Sequence, residues 1–227
     1  MKIAVLSDIH SNAHALEAVL ADTRARGVDA FVVLGNLVID GPSSLPVMHT
    51  VQALTPWVIR GNREEYLLRI MDGRTPGETR ATHQIASAWW TYEQLAPDDM
   101  AWMDELHAGL SLSWEGITVR MVHGSPFGVS DLLYQRDGDK VCRAARAVEE
   151  NVLLYGHNHE PFCGMVEGKL SLNPGSIGGH LNQSVCAEYG LLTVSHGRAI
   201  GELLQVPYDF ASFSRQMVES GLCAAAP

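Results

Sequence analysis

The sequence predicts an α/β fold in which two β-sheets form a sandwich flanked by helices. Three observations carry this prediction. Apolar, strand-like runs alternate with a helical pattern over the first 60 residues, the middle of the chain shows helical spacing of its apolar residues, and the second half is rich in strand-like runs. A length of 227 residues fits one domain, 1–227, because α/β domains reach this size.

The first elements predict a parallel strand pair. An apolar run over 3–6 reads as a strand, and 14–26 carries apolar residues at the spacing of an amphipathic helix. Gly27 ends that helix at the position that glycine favours. A second buried strand runs over 30–34. This strand, helix, strand order favours parallel pairing through a right-handed crossover.

The next part of the chain is predicted to be mainly helical. A helix over 44–54 leads to an apolar run at 57–59. From about 64 to 109, apolar residues recur at helical spacing, interrupted by a Gly- and Pro-containing loop over 72–78. We interpret this stretch as helices that cover one side of the sandwich, without a separate domain.

The second half is predicted to supply most of the strands. The runs with this pattern are 110–114, 117–122, 152–155, 169–172 and 189–194. Glu115-Gly116 and Glu167-Gly168 mark tight turns between successive strands. We also predict a helix over 139–150 and a short helix over 211–219 in the tail.

Composition excludes several classes of protein. Net charge is −10, so no basic stripe is offered to a long nucleic acid. No apolar run approaches the roughly 20 residues of a membrane span, and the segment after Lys2 reads as a first strand, not a signal peptide. The four cysteines form no C-x-x-C pair, which indicates reduced thiols. We therefore expect a cytoplasmic protein.

Five short segments place potential metal ligands at the ends of apolar runs. They read Asp8-Ile9-His10, Gly35-Asn36, Gly61-Asn62-Arg63, His123-Gly124 and Gly156-His157-Asn158-His159. Open α/β sheets have their ligand crevices at the carboxyl ends of strands, so we expect these segments to form one site. Carboxylate, amide oxygen and imidazole together suit hard or borderline divalent cations.

This pattern resembles the calcineurin-like metallophosphoesterases, which hydrolyse phosphate esters with two metal ions. The resemblance covers Met1 to about Val194, and its most specific part is the Gly-His-Asn-His doublet followed by Asn173-Pro174-Gly175-Ser176. It implies the two-sheet α/β-β/α sandwich of that family, a hydroxide activated by two metals and a small phosphorylated substrate. We expect the loop at Asn173 to support the site, although its Pro and Gly are equally typical of a plain turn.

The resemblance also implies a ligand set. It comprises Asp8, His10 and His159 for the first metal, His123, His157 and Asn62 for the second, and Asn36 between the two. A lone histidine beside apolar residues is usually structural, whereas four histidines in matching motif positions favour ligation. We keep the structural interpretation for His14, His49, His83, His107 and His196, and leave His180 open. Mn²⁺ is the metal that we expect, with Fe, Zn or Ni as alternatives.

The first departure from the family pattern is Asn36. The family normally has an aspartate there that bridges both metals. A neutral amide offers one oxygen but lacks the charge that holds two cations roughly 3.5–4 Å apart. Since only Asp8 would then offset two divalent ions, we expect at least one of them to bind weakly. Asp40, four residues on, is either a loop residue or a substitute ligand.

The second departure is Arg63, where the family often carries a histidine that protonates the leaving group. Arginine stays charged and cannot act as a general acid, but it can hold phosphate oxygens through two parallel hydrogen bonds. Arg63 is thus predicted to bind substrate, with Arg60 nearby, or else to be a surface arginine paired with Glu64 or Glu65. The candidate catalytic residues are Arg63, Asn62 and His10.

These motifs leave more than one function open. The first is metal-dependent hydrolysis of phosphodiesters or phosphomonoesters. The second is a non-catalytic scaffold or binding protein on the same fold, as in the retromer scaffold subunit, which the two departures at Asn36 and Arg63 favour. Regulatory nucleotide binding without turnover is a third.

Overall fold

The computed structural model describes residues 1–75, 83–179 and 185–222. The strands are β1 (Lys2–Leu6), β2 (Ala30–Val33), β3 (Gly109–Trp114), β4 (Ile117–Val122), β5 (Val152–Leu154), β6 (Phe162–Val166), β7 (Lys169–Asn173), β8 (Cys186–Ser195) and β9 (Arg198–Pro207). The helices are α1 (Ala13–Ala25), α2 (Ser44–Leu54), α3 (Asn62–Met71), α4 (His83–Tyr92), α5 (Pro97–Glu105), α6 (Gly138–Arg146) and α7 (Phe210–Glu219).

The strands form two mixed sheets, as predicted. One has the order β2-β1-β8-β9, with β1 and β2 parallel and the other pairs antiparallel. The other has the order β3-β4-β5-β7-β6, in which β4, β5 and β7 run parallel. The parallel strands of both sheets end on the same side of the molecule, where the loops that follow them are joined by hydrogen bonds.

Alternation along β1 explains the layered core. Ile3 and Val5 point into a buried cluster between the two sheets, which they share with Met121 and Leu154 of the second sheet. Ala4 and Leu6 point the other way, into the cluster formed with α1 and α2. A third buried cluster lies between the second sheet and α6. The order of layers is therefore helix, sheet, sheet, helix.

Three tight turns connect neighbouring antiparallel strands with the same geometry. Glu115 and Gly116 have φ values of 48° and 81°, and Glu167 and Gly168 have 50° and 75°. Positive φ at both central residues is the geometry of a two-residue hairpin turn, which glycine favours at the second position. Both turns confirm the sequence prediction. A third turn, His196-Gly197 between β8 and β9, was not predicted.

The structure corrects several element predictions. The helix predicted over 139–150 ends at Arg146, because the N–H of Ala147 closes the last turn and Val148 turns into the core. Two edge strands, β6 and β9, were missed. Both are interrupted by glycine, Gly164 and Gly201, which weakens a strand-like pattern. The end of the loop predicted over 72–78 lies outside the described residues.

Two observations bear on the expectations from composition. Within the described ranges, no helix is long and apolar enough to cross a membrane. Among the described residues, Cys142, Cys163 and Cys186 form no disulfide bond, and Cys223 lies outside the described residues.

Candidate metal centre

The loops that follow β1, β2, β4 and β5, together with the start of α3, bring the predicted ligands into one cluster. The side chains that meet there are those of Asp8, His10, Asn36, Asn62, His123, His157 and His159. They come from segments separated by up to about 150 positions in the chain, so the folded sheets, not local sequence, create the site.

Asp8 lies at the centre of this cluster and is fully buried. Its Oδ1 atom is 3.2 Å from Nε2 of His159 and 3.6 Å from Nε2 of His10. These two ring nitrogens are themselves 3.3 Å apart. One ligand atom from each of the three residues lies within 4.8 Å of the others, an arrangement that could hold a metal ion. One carboxylate oxygen and two imidazole nitrogens form a donor set that fits a borderline divalent cation.

The other carboxylate oxygen of Asp8 is held by the protein. Oδ2 accepts hydrogen bonds from the Ser7 hydroxyl at 2.6 Å and from the backbone N–H of His157 at 3.0 Å. Burial by itself would raise the pKa of Asp8, but His123, His10 and His159 hold that pKa well below its usual range. Asp8 is therefore a fixed negative charge with Oδ1 directed at the histidines.

His10 links the cluster to a buried ion pair. Its Nδ1 atom lies 3.4 Å from Oδ2 of Asp40, which is also 2.7 Å from an Nη atom of Arg63. Burial opposes a charge on His10, yet Asp40 and Asp8 raise its pKa to about 9. Asp40 therefore contacts the outward nitrogen of a candidate ligand, the arrangement of a carboxylate that orients a metal-binding histidine. It is not among the three residues, Asp8, His10 and His159, whose ligand atoms converge.

The second half of the cluster contains two histidines and an amide. Nδ1 of His123 donates to the backbone carbonyl of Leu34 at 2.6 Å, so its Nε2 atom carries the lone pair. That Nε2 atom faces Oδ1 of Asn62 at 3.1 Å. Nδ1 of His157 is buried and has no hydrogen-bond partner among the residues that the structure describes. Burial lowers the pKa of both imidazoles, to about 4 for His157, so both are neutral at pH 7.

Asn36 lies between the two halves. Its Nδ2 atom donates to Oδ1 of Asp8 at 2.9 Å, and its Oδ1 atom accepts the backbone N–H of Arg63 at 3.0 Å. Gly61 leaves room for this contact, because a Cβ atom there would lie 2.4 Å from the Asn36 amide oxygen. The NH₂ group of Asn36 therefore faces the cluster, and its oxygen faces away.

Glu64 is a buried part of the site that the sequence analysis did not identify. Its carboxylate accepts the backbone N–H groups of Asn36 and Leu37 at 2.9 and 2.8 Å, and that of Gly61 at 2.7 Å. It thus joins the loop after β2 to the start of α3. A glutamate three residues after the residue that precedes a helix is a recognised capping position, and this signal could have identified it.

The two arginines of the predicted substrate-binding pair lie in different surroundings. Arg63 pairs with Asp40, not with Glu64 or Glu65, and its side chain is 18% exposed at the edge of the cluster. Arg60 instead lies 3.8 Å from Glu65 and 4.0 Å from Asp104, in a groove formed with α3 and α5. The structure therefore brings Arg63, but not Arg60, to the candidate metal ligands.

Strained backbone is concentrated at the ligands. Asp8, His10, Asn36, His157 and His159 have φ values between 48° and 68°. Residues other than glycine rarely adopt this left-handed region, at a cost of order 1–3 kcal/mol each. Backbone hydrogen bonds between the loops, such as the His10 N–H donating to the Asn36 carbonyl at 3.0 Å, hold the conformation. Such strain is typical of a functional site.

The loop at Asn173 supports the site, as predicted. Nδ2 of Asn173 donates to the backbone carbonyl of Gly156 at 3.1 Å and to Oδ1 of Asn158 at 2.7 Å. The Ser176 hydroxyl donates to the carbonyl of Asp8 at 2.8 Å. His180, which follows this loop, lies outside the described residues.

A groove of about 220 Å³ lies between the segment that follows β4 and the start of α6. Its wall includes Ser125, two residues after His123, and Leu133, whose carbonyl accepts a hydrogen bond from Asn158. Phe127 is 53% exposed there, with the Arg143 guanidinium 4.6 Å from its ring centroid. The remaining lining residues are Asp131, Leu132 and Lys140.

Comparisons with known proteins find similar sequences and folds. Uncharacterized protein MJ0912 of Methanocaldococcus jannaschii is 25% identical over 237 residues, covering 97% of this chain and 93% of the relative. A metallophosphoesterase from Sphaerobacter thermophilus superposes with a TM-score of 0.78 at 24% identity over 100% of both chains. Hypothetical protein PH1004 from Pyrococcus horikoshii OT3 gives 0.83 at 22% identity, covering 97% of this chain and 94% of its own.

These structural likenesses establish the fold, and a family model settles the membership. The model of the calcineurin-like phosphoesterase superfamily domain matches residues 1–197. The match spans both sheets as far as the β8–β9 turn and includes all seven clustered side chains. The chain therefore belongs to the calcineurin-like phosphoesterase superfamily.

Proposed function

We propose that this protein hydrolyses phosphate esters of small substrates in a reaction that depends on a divalent metal ion. The observation that carries the proposal is the convergence of Asp8 Oδ1 with the Nε2 atoms of His10 and His159 inside the fold of a phosphoesterase superfamily. Asn36, Asn62, His123 and His157 complete the candidate ligand set. Mn²⁺ is the metal we propose, because mixed oxygen and imidazole donors suit it, with Fe, Zn or Ni as alternatives.

A divalent cation at this site would supply Lewis-acid stabilisation of phosphoryl oxygens and lower the pKa of water. The protein's own residues would do the rest. Asp8 holds a fixed negative charge, and the contact with Leu34 keeps the Nε2 lone pair of His123 directed into the site. Arg63, at the rim, would donate hydrogen bonds to the phosphate oxygens.

We place the leaving group of the ester in the groove that includes Ser125, two residues after His123. Phe127 offers an apolar face, and Arg143 with Lys140 offers positive charge, in a chain whose net charge is −10. This combination fits an alcohol that carries an apolar body and a second anionic group. Phe127→Ala and Arg143→Ala should then raise KM for such esters more than for p-nitrophenyl phosphate.

One observation favours the second candidate function, a non-catalytic scaffold or binding protein. The Asn36 amide gives Asp8 a hydrogen-bond donor at 2.9 Å in the place where a metal-bridging carboxylate would stand. Because the Asn36 amide already donates a hydrogen bond to the Asp8 carboxylate, the folded protein depends less on a bound metal to satisfy that carboxylate. Retention of four convergent histidines is the counter-observation, and it leads us to prefer the enzyme.

The test is hydrolysis by protein stripped of metal with a chelator and then resupplied with Mn²⁺. We expect turnover of bis-p-nitrophenyl phosphate or p-nitrophenyl phosphate that requires Mn²⁺ and is lost in His10→Ala, His123→Ala and His157→Ala. Arg63→Ala should weaken substrate binding at least about tenfold, the loss of a charge-assisted pair. Arg60→Ala is the matched comparison, with an expected change under about twofold. Metal binding without turnover of any phosphate ester would favour the scaffold.

A further inference from the structure

We propose that the two halves of the site bind metal unequally, with one divalent cation held tightly by Asp8, His10 and His159. In the half formed by His123, His157 and Asn62, the Asn36 amide leaves only a weak second site. The inference deepens the proposed function and rests on it in one respect, that the site binds a divalent cation. It departs from the pair of ions that the resemblance to the family implies.

The orientation of the Asn36 amide is fixed by a group that can only donate. The backbone N–H of Arg63 lies 3.0 Å from one amide atom of Asn36, and that atom must be the oxygen because an NH₂ group cannot accept. The NH₂ group is then the atom at 2.9 Å from Asp8 Oδ1. An amide NH₂ has no lone pair to give to a cation, so Asn36 presents a donor where a bridging ligand would need an acceptor.

The alternative orientation is disfavoured on both sides of the amide. After a 180° rotation, NH₂ would face the N–H of Arg63, and the amide oxygen would face the Asp8 carboxylate. Two hydrogen bonds would be replaced by two repulsive contacts. The backbone also holds the residue in place, since its N–H donates to Glu64 and its carbonyl accepts from His10. The backbone of Gly61 also packs closely against the amide, since a Cβ atom at Gly61 would lie 2.4 Å from the amide oxygen.

The charges of the two halves also favour tighter metal binding in the first half. The Asp8 Oδ1 atom lies 3.2 and 3.6 Å from the imidazoles of the first half and 3.9 Å from Nε2 of His123 in the second. The second half otherwise contains imidazoles and an amide, so it has no carboxylate of its own. The Asp40 carboxylate does not offset this difference in charge. It contacts Nδ1 of His10, not the Nε2 atom that faces Asp8, and it forms an ion pair with Arg63 at 2.7 Å. Two divalent ions repel about four times as strongly as two single charges at equal distance. One carboxylate is too little to hold both.

The test counts ions and examines their coupling, without relying on turnover. Metal-free protein is titrated with Mn²⁺ by calorimetry and then observed by electron paramagnetic resonance. We expect one tight ion per chain with the six-line signal of an isolated Mn²⁺, and a second site weaker by at least about 100-fold. Asn36→Asp should bring the count to two tight ions and give the signal of a spin-coupled pair.

Two further variants separate this proposal from a general charge effect. Asn12→Asp adds the same charge nearby at the N-cap of α1, where aspartate caps as well as asparagine, and it should leave the count at one. His123→Ala removes a ligand of the weak half only and should also keep one tight ion, whereas His159→Ala should lose it. The His123→Ala and His159→Ala pair remains decisive even where Asn36→Asp does not fold.

The outcomes distinguish this inference from the proposed function. Two ions of similar affinity in the unmodified protein, or a coupled signal there, would overturn the inference, whatever the rate of hydrolysis. One tight ion combined with no hydrolysis of any phosphate ester would support the inference and reject the enzyme. Loss of the tight ion in His123→Ala would place it in the other half and also overturn the inference.

Discussion

The two halves of the metal centre contain similar side chains, but the chain treats them differently. In the first half, Asp8 is held by the Ser7 hydroxyl and a backbone N–H, and His10 is backed by Asp40. In the second half, His123 is held by one carbonyl, and a buried nitrogen of His157 has no hydrogen-bond partner within the described part of the chain. Similar histidines are thus supported differently in the two halves, by a carboxylate in the first and by a backbone carbonyl in the second.

Leaving-group dependence should give the largest effect. Arg63 stands where a proton donor is typical of the family, and neither half offers another obvious acid to a departing alkoxide. General acid catalysis is worth about 10²–10⁴ in rate. Activated aryl esters should therefore be hydrolysed faster than alkyl monoesters by a factor in that range, measured as kcat with chemistry limiting. Equal rates would mean that a group such as His10 protonates the leaving group.

Glu64→Ala should cost about 3 kcal/mol of unfolding free energy or more. The carboxylate accepts backbone N–H groups from both loops that flank the cluster, and its removal leaves those buried donors unsatisfied. Chemical denaturation at pH 7 measures the change. Glu65→Ala on the same helix is the control, since Glu65 lies at the surface beside Arg60, and it should cost under about 1 kcal/mol. Similar losses in both variants would contradict the role of Glu64.

The sequence predicted the parts of this site that follow from strand ends. Asp8, His123 and His157 each come directly after a buried run, and parallel strands bring such positions to one edge. The family resemblance supplied the ligand set, and the sheets place its members together. For these residues, a position at the end of a strand, which the sequence pattern predicts, also determines the position in the folded site.

Other features depend on contacts that no local pattern contains. The direction of the Asn36 amide is set by the N–H of a residue 27 positions later. Asp40 could be read only as a loop residue or a ligand, because its partners, His10 and Arg63, come from two other segments. The position of Arg60 could not be predicted for the same reason. It is near Arg63 in sequence, but its guanidinium faces Glu65.

The affinity of the tight half for Mn²⁺ should depend on pH. The affinity of the weak half should not change with pH above pH 7. The pKa of His10 is raised to about 9, so a metal must displace its proton at pH 7. Affinity should rise by up to about 100-fold from pH 7 to pH 9 and then level off. The groups that face His10 are Asp40, Asp8 and His159. His123 and His157 are already neutral and release no proton.

Calorimetry in buffers of different ionisation enthalpy measures this release, which should be close to one proton for the tight ion. The stability of the metal-free protein should change in the opposite sense. Because the folded pKa of His10 lies above its unfolded value, its contribution is complete below about pH 6.5 and is lost as pH rises through 9. Asp40→Asn should reduce both effects. A pH-independent affinity between 7 and 9 would show that metal binding displaces no proton from His10.

The smallest predicted change is in the rate of the Asn36→Asp variant. A carboxylate at this position would replace the NH₂ donor by a second negative oxygen beside Asp8, so a second cation could be held between them. If that cation stabilises the transition state by about 1.4 kcal/mol, kcat rises about tenfold at saturating Mn²⁺. The shape of the side chain is almost unchanged, so the unfolding free energy with metal bound should not fall. Two tight ions with no gain in kcat would mean that the second half binds metal without contributing to the reaction, and that the single tight ion already performs the hydrolysis.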